Sequence, residues 1–230
     1  MKQIVTEDGS HTLQSNQIND TYHSTHGAIT EANTVYIRNG LHQCLQTFVG
    51  EIHLLEVGFG TGLNALLTCM EADRWQRKVV YHTLEPFPIA VEEALTLNYG
   101  ALACDESHYF AKIHQAAWNV PVPITPFFTL IKLSEPLQTI DFGCSKFHLV
   151  YFDAFGPDKQ PELWCPEMLC KVTSSMEQDG IFTTYSTKGE VKRTLKSQGL
   201  AVEKLPGPPG KREVLRAIRN RESENICGSD

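Results

Sequence analysis

The stretch Ile52-His53-Leu54-Leu55-Glu56-Val57-Gly58-Phe59-Gly60-Thr61-Gly62-Leu63-Asn64 decides the fold. Its first half is a short apolar run, suited to a strand buried on both faces. Three glycines alternate in the second half, and a helix follows from Leu63 to about Ala72, with Leu63, Leu66, Leu67 and Met70 on one face. A glycine turn between a strand and its helix lets the backbone approach a ligand closely while helix N–H groups point into the crevice. The dinucleotide pattern G-x-G-x-x-G fails in the frame starting at Gly58, because position 63 is Leu. A frame starting at Gly60 ends in Ala65, so this turn alone leaves nicotinamide and flavin cofactors open.

Working outward, strand and helix signals alternate. Val79–Leu84 reads as a second strand ending at Glu85, and Pro88 opens a helix over Ile89–Leu97. Residues 101–118 read as helical, and Pro121, Pro123 and Pro126 break the chain before a strand at Phe127–Ile131. Phe147–Phe152 is an apolar strand that delivers Asp153, with a helix from Pro161 to Thr173 and a strand at Gly180–Tyr185 behind it. Gly189–Gln198 is a basic helix stopped by Gly199, and strands at 200–205 and 213–218 flank Pro206-Gly207-Pro208-Pro209-Gly210. In front, Asp8-Gly9 signals a hairpin, Asn33–Ile37 reads as a strand closed by Asn39-Gly40, and Leu41–Val49 as a short helix. The expectation is an α/β fold: one open, mostly parallel, Rossmann-like sheet with an antiparallel C-terminal edge pair. Residues 1–50 form an N-terminal extension of the same domain, 51–221 the sheet domain, and 222–230 a flexible tail.

Composition narrows the function. The 230 residues are 41% hydrophobic and 20% charged, the make-up of a globular domain with a core. No apolar run approaches the ~20 residues of a membrane span, and the N-terminus lacks a secretory signal, so a cytoplasmic protein is expected. Seven cysteines form no C-x-x-C pair, and His23 and His26 have no third ligand nearby in sequence, so no metal is expected. The net charge of −7 excludes a general nucleic-acid coat. It is uneven, however. Residues 188–221 hold ten basic side chains against three acidic ones, and the rest of the chain holds ten against 24.

Two acids stand where strands end. Glu85, about 20 residues past the glycine turn, is placed to accept the hydroxyls of a ribose. Asp153 reaches the rim of the same crevice, where an acid holds a substrate amine and accepts its proton.

The runs Leu55–Asn64, Glu85-Pro86-Phe87-Pro88, Asp153-Ala154-Phe155-Gly156-Pro157 with Pro161-Glu162-Leu163-Trp164, and Gly210-Lys211-Arg212-Glu213 carry a resemblance. Together they resemble the methyltransferase domain of the bacterial enzymes that make 5-methylaminomethyl-2-thiouridine in tRNA. Tyr22-His23-Ser24 resembles that family's opening strand, and the likeness spans roughly residues 20 to 218. It implies a class I methyltransferase using S-adenosylmethionine, and a tRNA partner whose wobble uridine bears an aminomethyl group. It also implies cofactor contacts at Tyr22, Glu56, Gly58, Gly60, Thr61, Gly62, Asn64 and Glu85, and catalysis at Asp153. Relatives place an acid after the third strand; here Ser134 or Glu135 takes that place. Many relatives carry a fused flavin oxidase, and at 230 residues this chain is expected to be the stand-alone form, without flavin. The basic segment makes Lys188, Lys211 and Arg212 the expected tRNA contacts. No protein partner is legible. Aminopropyl transfer from a related sulfonium, or a non-catalytic cofactor-binding RNA module, are the alternatives.

Overall fold

A computed structural model describes residues 1–15, 18–143 and 146–220. The expected tail at 222–230, and Arg221 of the basic segment, lie outside the described residues. The chain opens with β1 (Lys2–Val5), β2 (His11–Ser15) and β3 (Asp20–Thr21), a small antiparallel sheet whose first turn is at Asp8-Gly9. The Asp8 carboxylate accepts from the backbone N–H groups of Ser10 at 3.0 Å and Thr30 at 2.9 Å, tying the hairpin to the helix behind it. Burial alone would raise the pKa of Asp8, but its hydrogen bonds with Ser10, Thr30 and Thr6 outweigh that and hold it well below the carboxylate range.

Ala28–Ala32 (α1), a π-wound stretch over Asn33–His42 and Gln43–Thr47 (α2) then run as one continuous helical segment. Here the structure corrects the sequence reading, which has a strand at Asn33–Ile37 and a turn at Asn39-Gly40. Val35, Tyr36, Ile37, Gly40, Leu41 and Cys44 are all buried, a helical spacing rather than a strand's alternation. Gly40 serves close packing. A Cβ there would stand 3.1 Å from the Tyr151 ring and 3.2 Å from Thr183 on the sheet below.

β4 (Ile52–Val57), α3 (Leu63–Trp75), β5 (Val79–Leu84), α4 (Val91–Ala94), α5 (Tyr99–Leu102) and α6 (Tyr109–Gln115) follow. The single helix expected over 101–118 is two pieces, because Cys104 and His108 take left-handed φ of 57°. The Asp105 carboxylate receives the first N–H groups of α6, from Tyr109 at 2.9 Å and Phe110 at 2.8 Å. β6 (Pro121–Thr125) is a strand where the prolines suggest none. It is the outermost strand of the sheet, where Pro121 and Pro123, two apart, can turn their missing donors away from the ladder. β7 (Phe128–Leu133), β8 (Phe147–Phe152), a 3₁₀ turn at Pro161–Leu163, α7 (Pro166–Ser174), β9 (Met176–Thr184), α8 (Gly189–Ser197), β10 (Leu200–Pro206) and β11 (Glu213–Arg219) complete the chain. Pro166 restarts the helix expected from Pro161, since it cannot donate to the turn before it.

The main sheet has eight strands in the order β10-β11-β9-β8-β4-β5-β7-β6. The pairs β9-β8, β8-β4, β4-β5 and β5-β7 are parallel, and β11 and β10 return antiparallel at one edge. Leu54, Tyr81, Leu149 and Tyr151 pack on one face of the sheet. Leu55, Val57, Val150 and Phe152 pack on the other. The apolar run at 52–57 is therefore a strand buried on both sides. Chain order reverses between β4 and β8, and in open α/β sheets that reversal opens a ligand crevice at the strands' carboxyl ends. Gly58 leaves β4 there and Asp153 leaves β8. Among the described residues, no helix is long and apolar enough to cross a membrane.

Candidate active site

The glycine turn is pinned from three directions. Gly58, at φ +95°, lies so close to the β8 end that a Cβ would stand 2.9 Å from the Asp153 carbonyl oxygen. Gly60, at φ +50°, is covered by Tyr22, whose ring would be 2.9 Å from a Cβ. At Gly62, φ +74°, a Cβ would meet His114 Nε2 at 2.7 Å. Burial pushes the His114 pKa down to about 4, so its neutral ring donates to the Thr61 carbonyl, 3.0 Å away. His23 from the N-terminal extension holds Thr61 from the other side, with Nε2 2.6 Å from Oγ1. These contacts fix the turn before any ligand arrives, which reduces the ordering cost of binding.

Asp153 sits at the centre of a buried polar chain. The Tyr36 hydroxyl donates to its Oδ1 at 2.5 Å, and Asn64 Nδ2 donates to its Oδ2 at 2.8 Å. The same Asn64 amide reaches Glu56 Oε1 at 3.1 Å, and Thr83 Oγ1 donates to the other Glu56 oxygen at 2.7 Å. Burial pushes the Asp153 pKa up to about 7, with nearby Glu31 adding to the rise and Tyr36, Asn64 and Lys211 opposing it. Glu56 is driven up to about 8, again chiefly by burial. The Asp153 carboxyl group nearby adds to the rise at Glu56.

Tyr36 is absent from the site residues expected from sequence, because its segment reads as a strand. The signal lies in the buried pairs Val35-Tyr36 and Gly40-Leu41, five apart, a π-helical rather than an alternating interval. Tyr36→Phe removes a hydrogen bond to an ionised group, of order 1.5–3 kcal/mol. The expected result is a fall in kcat on the order of tenfold, with the acidic limb of the pH–rate profile moved to higher pH. Steady-state rates across neutral pH check both.

Two cavities meet at Asp153. The larger, about 840 Å³, is lined by the glycine turn, Tyr22, Glu85, Phe87 and Leu137. The smaller, about 270 Å³, is lined by Asp20, Glu31, Tyr185 and Lys211. Tyr22, His23, Asp153, Ala154 and Phe155 border both. The large cavity has the size of a cofactor site. At its wall Glu85 Oε2 accepts from Gly60 N at 3.1 Å and Oε1 from Phe87 N at 3.0 Å, so each oxygen retains a lone pair for a ribose hydroxyl. Asn64 lines the same cavity, and among the described residues its buried carbonyl oxygen has no hydrogen-bond partner. An adenosine-bearing sulfonium fits these residues.

The expected site residues divide accordingly. Gly58, Gly60, Thr61, Asn64, Tyr22, Glu85 and Asp153 all line the large cavity. Gly62 supports the turn from behind, against His114 and Phe59. Glu56 is 1% exposed and accepts from Asn64 instead of lining the cavity. Ser134 is exposed and exchanges hydrogen bonds with Asn119, so in that stretch Pro136, Leu137 and Gln138 reach the cavity wall instead. Lys188 pairs with Asp158, and Lys211 pairs with Glu31 beside the smaller cavity. Arg212 is exposed. Elsewhere in the basic segment, Lys204 pairs with Glu213, Arg216 pairs with Glu203, and Arg219 caps carbonyls at the end of α7.

This arrangement is the fold of the class I methyltransferases that use S-adenosylmethionine: a reversal of strand order, a glycine turn after the first parallel strand, an acid after the second, and an antiparallel pair at one edge. Residues 127–220, from β7 to β11 and including Asp153, match a family model described as S-adenosyl-L-methionine-dependent methyltransferase. The tRNA 5-methylaminomethyl-2-thiouridine biosynthesis bifunctional protein MnmC of Burkholderia mallei (strain SAVP1) is 29% identical over 227 residues, which is 92% of this chain and 34% of that protein. The chain thus spans about a third of the length of the curated relatives it matches. The crystal structure of MNMC2 from Aquifex aeolicus superposes with a TM-score of 0.70 at 24% identity, over 94% of this chain and 69% of that one. Magnesium protoporphyrin IX methyltransferase from Synechocystis shares the fold at a TM-score of 0.51 and 10% identity, over 84% of each chain. The resemblance read from the sequence, to the methyltransferase part of the enzymes that make 5-methylaminomethyl-2-thiouridine, is borne out.

Proposed function

We propose that the chain methylates the primary amine of a 5-aminomethyluridine at the wobble position of tRNA, acting in the cytoplasm. The observation that carries this is Asp153, an acid shared by a cofactor-sized cavity and a small polar one. S-adenosylmethionine, when bound in the large cavity by Glu85 and the glycine turn, supplies an electrophilic methyl group on a sulfonium sulfur. An alkylammonium has no lone pair with which to attack it. Asp153, as carboxylate, binds the ammonium from the small cavity and takes one proton, leaving the nitrogen lone pair free to form the N–C bond as the C–S bond breaks. S-adenosylmethionine would retain the bonding pair as a thioether, and Asp153 returns its proton to water. With its pKa near 7 instead of 3.8, Asp153 is a stronger base by about three powers of ten than a solvated carboxylate. Tyr36 and Asn64 hold the carboxylate in one orientation for the transfer.

The test is nucleoside mass spectrometry of tRNA bearing 5-aminomethyluridine, incubated with the protein and S-adenosylmethionine. A gain of one methyl on that nucleoside is expected; methylation of another nucleoside would overturn the substrate, and none at all the activity.

The tRNA backbone would run along the C-terminal edge. Lys204, Arg212 and Lys192 gather around Glu213, whose pKa they hold below the ordinary value. The exposed Arg212 adjoins the turn that carries Lys211, at the mouth of the small cavity. Lys192→Glu with Arg212→Glu is expected to weaken tRNA binding and flatten its salt dependence, by roughly one unit of log–log slope for each phosphate no longer neutralised. Filter binding over a range of about 50 to 200 mM salt reads the slope; an unchanged slope would place the RNA elsewhere.

A further inference from the structure

The small cavity already holds an ammonium. Lys211 Nζ donates to Glu31 Oε1 and stands 4.0 Å from the centroid of the Tyr185 ring. Both groups that receive it are fixed. Tyr185 donates its hydroxyl to the Ala154 carbonyl at 2.8 Å, and the second Glu31 oxygen accepts from Ser24 N at 2.9 Å. The Glu31 side chain is 8% exposed, whereas Lys211 is 29% exposed and enters on a flexible stem from the turn between β10 and β11. Asp20, Glu31 and Asp153 give the cavity three carboxyl groups against this one lysine and His23, whose ring burial keeps neutral.

We propose that Lys211 is a built-in placeholder for the substrate's primary ammonium, which displaces it from Glu31 and Tyr185 and so reaches Asp153. The proposal rests on the amine-methylation reading above. A lysine side chain ends in the same –CH2–NH3⁺ group as an aminomethyl uridine, so one carboxylate and one aromatic face satisfy either. The exchange keeps Glu31 paired throughout, which avoids the cost of a lone buried charge. Released, Lys211 adds its charge to that of Arg212 beside it, where an RNA phosphate replaces its former partner. Amine entry and backbone binding thus reinforce one another. A neutral or carboxylate-bearing substituent at the same position of the base releases no lysine and meets excess negative charge, so Glu31 selects for an amine cation.

The two halves of this ion pair should therefore act in opposite directions. Calorimetry of the free nucleoside 5-aminomethyluridine with the full chain is the readout, with 5-hydroxymethyluridine as control. In Lys211→Met the competitor is gone, and binding should tighten on the order of tenfold, since occupancy by Lys211 reduces the apparent affinity by the fraction of open sites. In Glu31→Gln it should weaken by a similar factor. The control nucleoside should change in neither, while tRNA affinity falls in Lys211→Met. Weaker or unchanged amine binding in Lys211→Met, shifts of the same sign in both variants, or no binding by any form overturns the placeholder. Thermal melting verifies that both variants are folded. If wild-type protein methylates the tRNA while the nucleoside titrations fail in this way, only the placeholder is lost. If it does not methylate, the function proposed above is lost with it.

Discussion

Asp153→Asn is expected to lower kcat for tRNA methylation by on the order of 10³ while cofactor affinity stays within a few-fold. The carboxamide cannot take the ammonium proton, yet Glu85 and the glycine turn, which would carry the cofactor, are untouched. The introduced amide also fits the local hydrogen bonds. Its oxygen accepts from Asn64 and its NH2 group faces the Tyr36 hydroxyl, which accepts as readily as it donates. The wild-type rate should rise with pH through about 7, as the buried acid ionises, and that limb should be absent in the variant. Stability should move the other way. A carboxyl whose folded pKa is raised from 3.8 to about 7 contributes its full stability only below the unfolded value and loses it as pH climbs through 7. At mildly alkaline pH the wild type carries a buried charge that the variant lacks, so Asp153→Asn should melt higher, by ~2–4 °C for each kcal/mol relieved. At mildly acidic pH the difference should shrink. Wild-type turnover in the variant would remove Asp153 from the chemistry. A lower melting temperature under alkaline conditions would show that the charge is not the cost inferred for it. A dead but stabilised enzyme is the signature of a functional group held at the expense of stability.

Much of this is legible in the sequence because it rests on local rules. A strand buried on both faces, a turn that only glycine can make and an acid at a strand end each follow from a few neighbouring residues. They place Gly58, Gly60, Glu85 and Asp153 around one crevice. Tyr36 is not legible in the same way. Val35-Tyr36-Ile37 satisfies β propensity, and Asn39-Gly40 imitates a hairpin turn; only packing on the sheet, against Tyr151 and Thr183, converts the segment to helix. Glu56 misleads for a related reason. Its position beside the glycines suggests a ligand contact, but strand alternation turns it inward to Thr83 and Asn64. The charge map is half legible. Ten basic residues cluster in 188–221, yet Lys188, Lys204, Lys211 and Arg216 are matched by acids, and for Lys188 and Lys211 these come from distant parts of the chain, a pairing that sequence distance conceals.

The glycine turn supplies the second large effect, and the two glycines that line the large cavity should behave differently. Gly58→Val is expected to reduce S-adenosylmethionine affinity by more than ~100-fold, about 2.8 kcal/mol, and to abolish turnover. At φ +95° an L-residue is strained by ~1–3 kcal/mol, and the atoms in its way, the Asp153 carbonyl oxygen at 2.9 Å and carbon at 3.1 Å, are backbone. Relief requires moving the β8 end, which carries the acid. One substitution therefore damages both cavities. Gly60→Ala should be milder. Its φ of +50° lies in the left-handed well, where alanine costs ~1–2 kcal/mol. Its obstacle is the Tyr22 ring, 2.9 Å away, a half-buried side chain that can turn aside. A loss of roughly tenfold in affinity is expected, close to the ~1.4 kcal/mol that tenfold represents. The double variant Gly60→Ala with Tyr22→Ala separates clash from strain. If the ring is the obstacle, removing it makes Gly60→Ala cheaper, and calorimetric titrations around the cycle give a coupling energy of that sign. If the backbone angle is the obstacle, the two losses add. For Gly58→Val no side-chain deletion should restore binding, and a partner substitution that did so would mean the backbone contact with Asp153 is not what confines the turn.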